Sequence, residues 1–204
     1  MCYHRRMWDE RYATDDYVYG TRPNDFLAEV ADRLPPGAVL ELGAGEGRNG
    51  VWLAGRGHAV TMVDLSAVGL TKARKLAAER GVTIATEVGD LAAYDIAPGA
   101  WPAVVMIFLH LPPALRREVF AKVAAGLAPG GVLILEMYTP AQVALGTGGP
   151  RDPSWCATLD TLRAELPELT FEIGRELERD VQEGNLHFGH SAVVQVVARR
   201  PAVG

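Results

Sequence analysis

The chain has 204 residues, enough for one domain with a sizeable core and no need of metal or disulfide staples. With 49% hydrophobic and 22% charged residues, it is neither a disordered nor a fibrous sequence. A formal net charge of -5 offers no basic footprint to a phosphate backbone, which disfavours DNA or RNA as a substrate.

Residues 1–16, MCYHRRMWDERYATDD, are polar throughout and lack the apolar stretch of a secretory leader, so a cytoplasmic protein is expected. Cys2 and Cys156 lie far apart and belong to no Cys or His cluster at metal-ligand spacing. Both read as free thiols in a reducing compartment, and no metal is expected. Asn24 and Asp25 offer N-cap oxygens to a helix carrying Phe26, Leu27, Val30 and Leu34, which Pro35, Pro36 and Gly37 stop. Ala38 to Leu42 is a short apolar strand, and a Gly-rich turn leads from it to Val51, Trp52, Leu53 and Ala54 on a helix. His58 to Leu65 is a second strand. Ser66 caps the next helix, which runs to about Arg80 and ends at Gly81.

Val82 to Val88, β-branched and alternating, reads as the third strand. Ala103 to Leu109 is the fourth; its apolar run is far short of the roughly 20 residues that cross a bilayer, so no membrane association is expected. Pro113 suits a first helical position, and the helix it opens ends at Pro129, Gly130 and Gly131. Val132 to Met137 is the fifth strand. Thr147 to Pro150 reads as a mobile loop, and Thr158 to Leu166 as a short helix. Leu169 to Val181 and Ser191 to Ala198 are strands joined by EGNLHFGH, a link that fits an antiparallel hairpin. Uninterrupted apolar strands separated by helices predict a parallel sheet covered on both faces, the doubly wound, Rossmann-like α/β architecture.

The segment ELGAGEGRNG, Glu41 to Gly50, falls where the first strand hands over to a helix. Gly43, Gly45 and Gly47 let a ligand lie directly against the main chain at a helix N-terminus. Gly45, Gly47 and Gly50 also satisfy G-x-G-x-x-G, with Asp64 near the distance of a ribose-binding acid, so an NAD-dependent oxidoreductase is one reading. Glu41 bears against it: a carboxylate there suits an ammonium or the ordering of the loop, whereas a pyrophosphate gains little from another anion.

ELGAGEGRN, VDLS at Val63 to Ser66 and GDL at Gly89 to Leu91 stand at successive strand ends and resemble the first three motifs of class I S-adenosylmethionine-dependent methyltransferases. The resemblance implies S-adenosyl-L-methionine as cofactor and S-adenosyl-L-homocysteine as product. It also implies a seven-stranded sheet, mostly parallel, with one antiparallel strand from a C-terminal hairpin. By position, Gly43, Gly45 and Gly47 line the methionine part, Asp64 accepts the ribose hydroxyls, and Asp90 with the Leu91 main chain faces the adenine. Ala44, Asn49 and Leu65, within the same motifs, join the cofactor set.

WDERY, YVYGTRPNDFL, FLHLPPALRREV, GTGGPRDP and EGNLHFGHSAVVQVVARR are similar to segments of the tellurite-resistance and thiopurine-type methyltransferases of small molecules. The likeness runs nearly end to end and implies one domain over 1–204, with an arm and helix over 1–36 as a lid on a core over 37–204.

Ligands of open α/β sheets bind outside the carboxyl ends of the strands at the switch point, here between the first and fourth strands. That puts Phe108, Leu109, His110 and Leu111 beside the methyl group, and His187 and His190 approach it if the hairpin tip reaches the same edge. A sulfonium is already a good leaving group, so alignment and desolvation dominate. His110, and second to it His187, are the candidates for positioning the acceptor or relaying its proton. Tyr17, Tyr19, Tyr138 and His190 complete the acceptor-binding set, and Arg22 is assigned to the cofactor carboxylate. The expected activity is methyl transfer to sulfur, selenium, tellurium or nitrogen of a small molecule, by a monomer or homodimer. A protein that senses the cofactor without catalysis is the alternative.

Overall fold

Alternation within each buried strand decides which helices it serves. In β1 (Ala38–Leu42), Val39 faces one core while Leu40 and Leu42 face the other; in β4 (Trp101–Ile107), Val105 and Ile107 join the first and Val104 and Met106 the second. The first core is closed by α2 (Asp25–Val30), α3 (Arg48–Gly55) and α4 (Ala67–Glu79), the second by α5 (Pro113–Gly126) and α7 (Leu159–Glu165), with the single turn α6 (Gln142–Leu145) between these two in the chain. The computed structural model describes residues 2–184 and 186–202, with the side chains of residues 2–4 outside the described set. The Cys2 thiol therefore lies outside the described residues, while Cys156 is free and buried.

β2 (Ala59–Asp64), β3 (Ala85–Val88), β5 (Leu127–Tyr138), β6 (Thr170–Glu183) and β7 (His187–Arg199) complete a seven-stranded sheet of order β3-β2-β1-β4-β5-β7-β6. β1 to β5 run parallel, and β7 inserts antiparallel between β5 and β6. The expected fold class holds. Because β6 runs the same way as β5, the turn between β6 and β7 lies beyond the carboxyl ends of the parallel strands.

Several boundaries differ from the sequence reading, each for a tertiary reason. Residues 2–12 form α1 (Cys2–Tyr12), a helix without an apolar stripe that docks on α4. β3 keeps only four residues, those that pair with Thr61 to Asp64 at the sheet edge. β5 starts directly after α5, since Leu127 pairs with Trp101 across a bulge before the main ladder begins at Val132. β4 stops at Ile107, and Phe108 adopts φ 51, a strained value for a side chain of that bulk. The hairpin strands are longer than expected, which puts His187 and His190 on β7 instead of in a loop.

Candidate functional site

The loop after β1 is bound to β2 by its main chain. Gly43 and Ala44 donate N–H bonds to the Val63 carbonyl at 2.9 and 3.2 Å, and Gly45 donates to Asp64 Oδ2 at 2.8 Å. The Ser66 N–H takes Asp64 Oδ1 at 2.8 Å, so both carboxylate oxygens are oriented by backbone. Burial raises the Asp64 pKa, and the Ser66 and Gly45 N–H bonds work against that rise. Gly47 caps α3 at φ 84, and a Cβ on it would stand 2.5 Å from that of Ala73. Only glycine permits that approach of loop to α4.

Glu41 leaves β1 on the α3 side and is 1% exposed, with Oε2 buried and without a hydrogen bond. Burial pushes its pKa up to about 7 against the pull of Asn49 and Arg48. Asn49 is buried and its Oδ1 accepts the Asn24 N–H at 2.8 Å, which ties the loop to the start of α2. Beyond β3, Asp90 Oδ1 accepts the Ala92 N–H at 3.0 Å, and Lys122 from α5 donates to the Leu91, Ala92 and Tyr94 carbonyls. Asp90 and Leu91 thus stand in a rigid turn at the third strand end, and Leu65 is half-buried beside Asp64.

α1 roofs this edge. Asp9 accepts the Ser66 hydroxyl at 2.6 Å, and Tyr12 is 5% exposed, with its hydroxyl 2.7 Å from where a Cβ on Gly45 would stand. Leu109 lies over Gly43 in the same way, at 2.9 Å. Lys72 on α4 donates to the Tyr12, Thr14 and Asp16 carbonyls at 3.4, 3.0 and 2.6 Å and pairs with Glu46. Neither Tyr12 nor Lys72 carries a signature that a single sequence displays.

Two further arm residues are placed by their own contacts. The Tyr17 hydroxyl donates to the Lys72 carbonyl at 3.2 Å and its ring packs on the first core. Arg22 is exposed, and its carbonyl accepts from Arg48 at 3.5 Å.

Past β4 and β5 the aromatic rings converge. Phe108 stacks on Tyr138 at 4.6 Å between centroids, and His187 meets Phe108, Tyr138 and Tyr19 at 4.9, 5.4 and 4.5 Å. Gly148 and Gly149, at φ 142 and 86, press against this cluster; a Cβ on Gly149 would lie 2.6 Å from the Tyr138 ring. The loop itself is held by Gln142 and by the Thr147 hydroxyl, which donates to the His190 carbonyl at 2.7 Å. Gly184, at φ 63, leaves no room for a side chain against the main chain of Val18 and Tyr19. Arm, loop and hairpin tip therefore close on one point.

The histidines divide. His110 Nε2 accepts the Tyr138 N–H at 3.1 Å, so Nδ1 carries the proton and donates to the Phe108 carbonyl at 3.0 Å. Burial and the neighbouring His187 push its pKa down to about 3, and both nitrogens are spent on main chain. In this arrangement His110 ties the end of β4 to β5. His190 is exposed on the hairpin, 2.7 Å from Glu178 and 3.4 Å from Asp180.

His187 remains, and beneath it lies a buried polar network the sequence did not disclose. Glu183 is 3.7 Å from His187 Nδ1 and 2.5 Å from Arg48, and the Asn24 amide donates to Glu183 and Glu136 at 2.7 and 2.5 Å. Arg179 and Gln195 complete the bonds to Glu136. Asn24 caps α2 as expected, but its amide is the hub of this network.

Such a glycine loop, strand-end carboxylate and antiparallel β-hairpin have counterparts. Residues 39–131 match the methyltransferase domain family. The matched segment covers the glycine loop, Asp64 and β4 but ends before the hairpin. Over 103 residues the chain is 36% identical to the tRNA 5-carboxymethoxyuridine methyltransferase of Escherichia coli strain K12, covering 49% of this chain and 40% of that one. It is 29% identical over 121 residues to the 2-heptyl-1-hydroxyquinolin-4(1H)-one methyltransferase of Mycobacteroides abscessus, covering 58% and 53%. The chain thus spans about half the length of these curated relatives.

Two solved structures share the fold over nearly the whole chain. N-methyltransferase NodS of Bradyrhizobium japonicum with S-adenosyl-l-homocysteine gives a TM-score of 0.69 at 19% identity, covering 97% of this chain and 98% of that one. TehB of Haemophilus influenzae gives 0.72 at 18%, covering 96% and 66%. At such identities the likeness is one of fold. Among the described residues no helix is long and apolar enough to cross a membrane.

Proposed function

We propose that this chain is an S-adenosylmethionine-dependent methyltransferase whose acceptor is a small molecule presenting sulfur, selenium, tellurium or nitrogen. One observation carries the reading: a glycine-rich loop adjoins a half-buried carboxylate, Asp64, whose two oxygens accept the Gly45 and Ser66 N–H bonds. A carboxylate offers about four acceptor positions, so Asp64 retains two for a pair of hydroxyls. The residues present fit the cofactor. When bound it supplies an electrophilic methyl group on a sulfonium.

Gly43, Ala44, Gly45, Gly47 and Asn49 give main chain and amide to the methionine part, and buried Glu41 orders the loop. Asp64 with Leu65 holds the ribose, and Asp90 with Leu91 bounds the adenine. Tyr12 has to swing off Gly45 to admit the methionine part of the cofactor, which gives the lid over 1–36 its concrete form. Phe108, Tyr19, Tyr138 and His187 surround the acceptor, exclude water and align its nucleophilic atom. The family match and the NodS likeness support the cofactor. A tRNA acceptor, as in the Escherichia coli relative, runs against the formal charge of -5.

Melting with S-adenosylmethionine, S-adenosylhomocysteine and NAD tests the cofactor, because a ligand of the folded state raises the midpoint. We expect protection by the first two alone, and Asp64→Asn to weaken S-adenosylhomocysteine binding about 10- to 100-fold, as for bonds to a charged group. Protection by NAD alone sinks the reading. Labelled methyl transfer into thiols, selenite, tellurite and small amines then separates an enzyme from a sensor.

A further inference from the structure

The network under the ring cluster joins the cofactor loop to the acceptor side. Arg48 is the first residue of α3, directly after the glycine loop, and its guanidinium holds Glu183 at 2.5 Å on the hairpin. Glu183 is 4% exposed and takes the Asn24 amide on its other oxygen, so its orientation is fixed from two elements. His187 stands one strand turn away, 9% exposed, with Nδ1 buried and 3.7 Å from Glu183 Oε2. That separation is long for a hydrogen bond and right for an ion pair once the ring is charged.

We propose that Glu183 is the positioning residue of His187, that the two form the base of the methyl-transfer site, and that the acceptor is accordingly a thiol or an N–H group, not a thioether, a selenide or an oxyanion. This rests on the methyltransferase reading. The balance is simple: the acceptor–carbon bond forms as the carbon–sulfonium bond breaks, the acceptor proton passes to the imidazole, and the sulfur leaves neutral. The positive charge lost from sulfur reappears on His187, beside the Glu183 carboxylate. An acceptor without a proton has no use for such a pair.

The groups facing His187 set its titration. Burial lowers its pKa, Glu183 raises it, and Arg48 and Arg11 lower it; Tyr19 and Tyr138 flank the ring, and His110 is held neutral by its main-chain bonds. Burial also works to raise Glu183, but His187, Arg48 and Asn24 outweigh it and hold the carboxyl down at about 2. The carboxylate is therefore charged throughout the range in which the ring titrates.

Histidine-selective NMR on the full chain, with the His187 signal assigned through His187→Asn, reads the pair without an acceptor. Glu183→Gln should lower the His187 pKa and Arg48→Gln should raise it, each by about one pH unit or more, the scale for a charge within 4–6 Å. The opposite signs keep the test decisive if one variant does not fold. Equal titration in wild type and a folded variant overturns the proposal. So does labelled transfer to thioanisole or dimethyl selenide at rates matching benzyl mercaptan or benzylamine, where His187→Asn should cost about 100-fold or more. The cofactor reading fails separately, by absence of S-adenosylhomocysteine binding in calorimetry.

Discussion

Glu41 and Asp64 are carboxylates on neighbouring strands of one sheet, the first buried and the second half-buried, and they differ in partners as well. Asp64 receives two N–H bonds, whereas one oxygen of Glu41 is left without any. The Glu41 pKa of about 7 exceeds its ordinary value of 4.5, so between those pH values the folded chain holds a proton that the unfolded chain has released. Stability contributed by that proton is complete below 4.5 and is lost as pH rises through 7, about 3 kcal/mol in all. His110, with its pKa lowered to about 3, acts in the opposite sense, adding stability as pH rises toward 6.5. Glu41→Gln keeps the shape and removes one of the two, so its melting temperature should gain on that of wild type between pH 4.5 and 7. A difference that stays flat across this range would refute the buried-proton account.

At the scale of elements, α1 is the least predictable and the most consequential. Its sequence has no apolar stripe, and it is held by Asp9 on Ser66, Tyr12 on Gly45 and Lys72 on its last carbonyls. Apart from the buried Tyr12 ring these contacts are polar, so that ring is the main apolar anchor of the helix. Tyr12→Ala removes the ring that lies on the glycine loop. It should tighten S-adenosylhomocysteine binding by about 10-fold, the return of about 1.4 kcal/mol no longer spent on displacement. Titration of Trp8 fluorescence, whose ring stacks on Tyr12 at 5.6 Å, should report the opening in wild type. Unchanged affinity in the variant, with unchanged fluorescence in wild type, would make α1 a fixed wall.

At the scale of the whole molecule, the buried Arg116–Glu165 pair joins parts that the chain order keeps apart. Arg116 on α5 makes paired bonds to Glu165 on α7 at 2.8 and 3.0 Å, and its third nitrogen holds the Ser154 and Cys156 carbonyls. Replacing it leaves a buried carboxylate and two carbonyls without donors. Arg116→Met should therefore cost about 3–5 kcal/mol in urea unfolding, the range for breaking a buried pair from one side. A loss below about 1 kcal/mol would show that water reaches Glu165. The edge strand β6 carries charge at Glu172, Arg175, Glu176, Glu178, Arg179 and Asp180, which opposes pairing with another sheet.

Sequence alone determined the parallel sheet, the helices with caps, the glycine loop and the acid at the end of β2. All of these rest on contacts within a few residues: apolar runs, the Ser66 cap, and glycines where a helix must meet a strand closely. The tertiary structure decided the rest, because the deciding partners are distant in sequence. Nothing near His110 announces that Tyr138 claims one nitrogen, and nothing near Asn24 announces Glu136 and Glu183. A histidine at a strand end and one on a hairpin look alike in the chain. They differ only in which nitrogens the folded backbone has already taken, and desolvation makes that difference decisive.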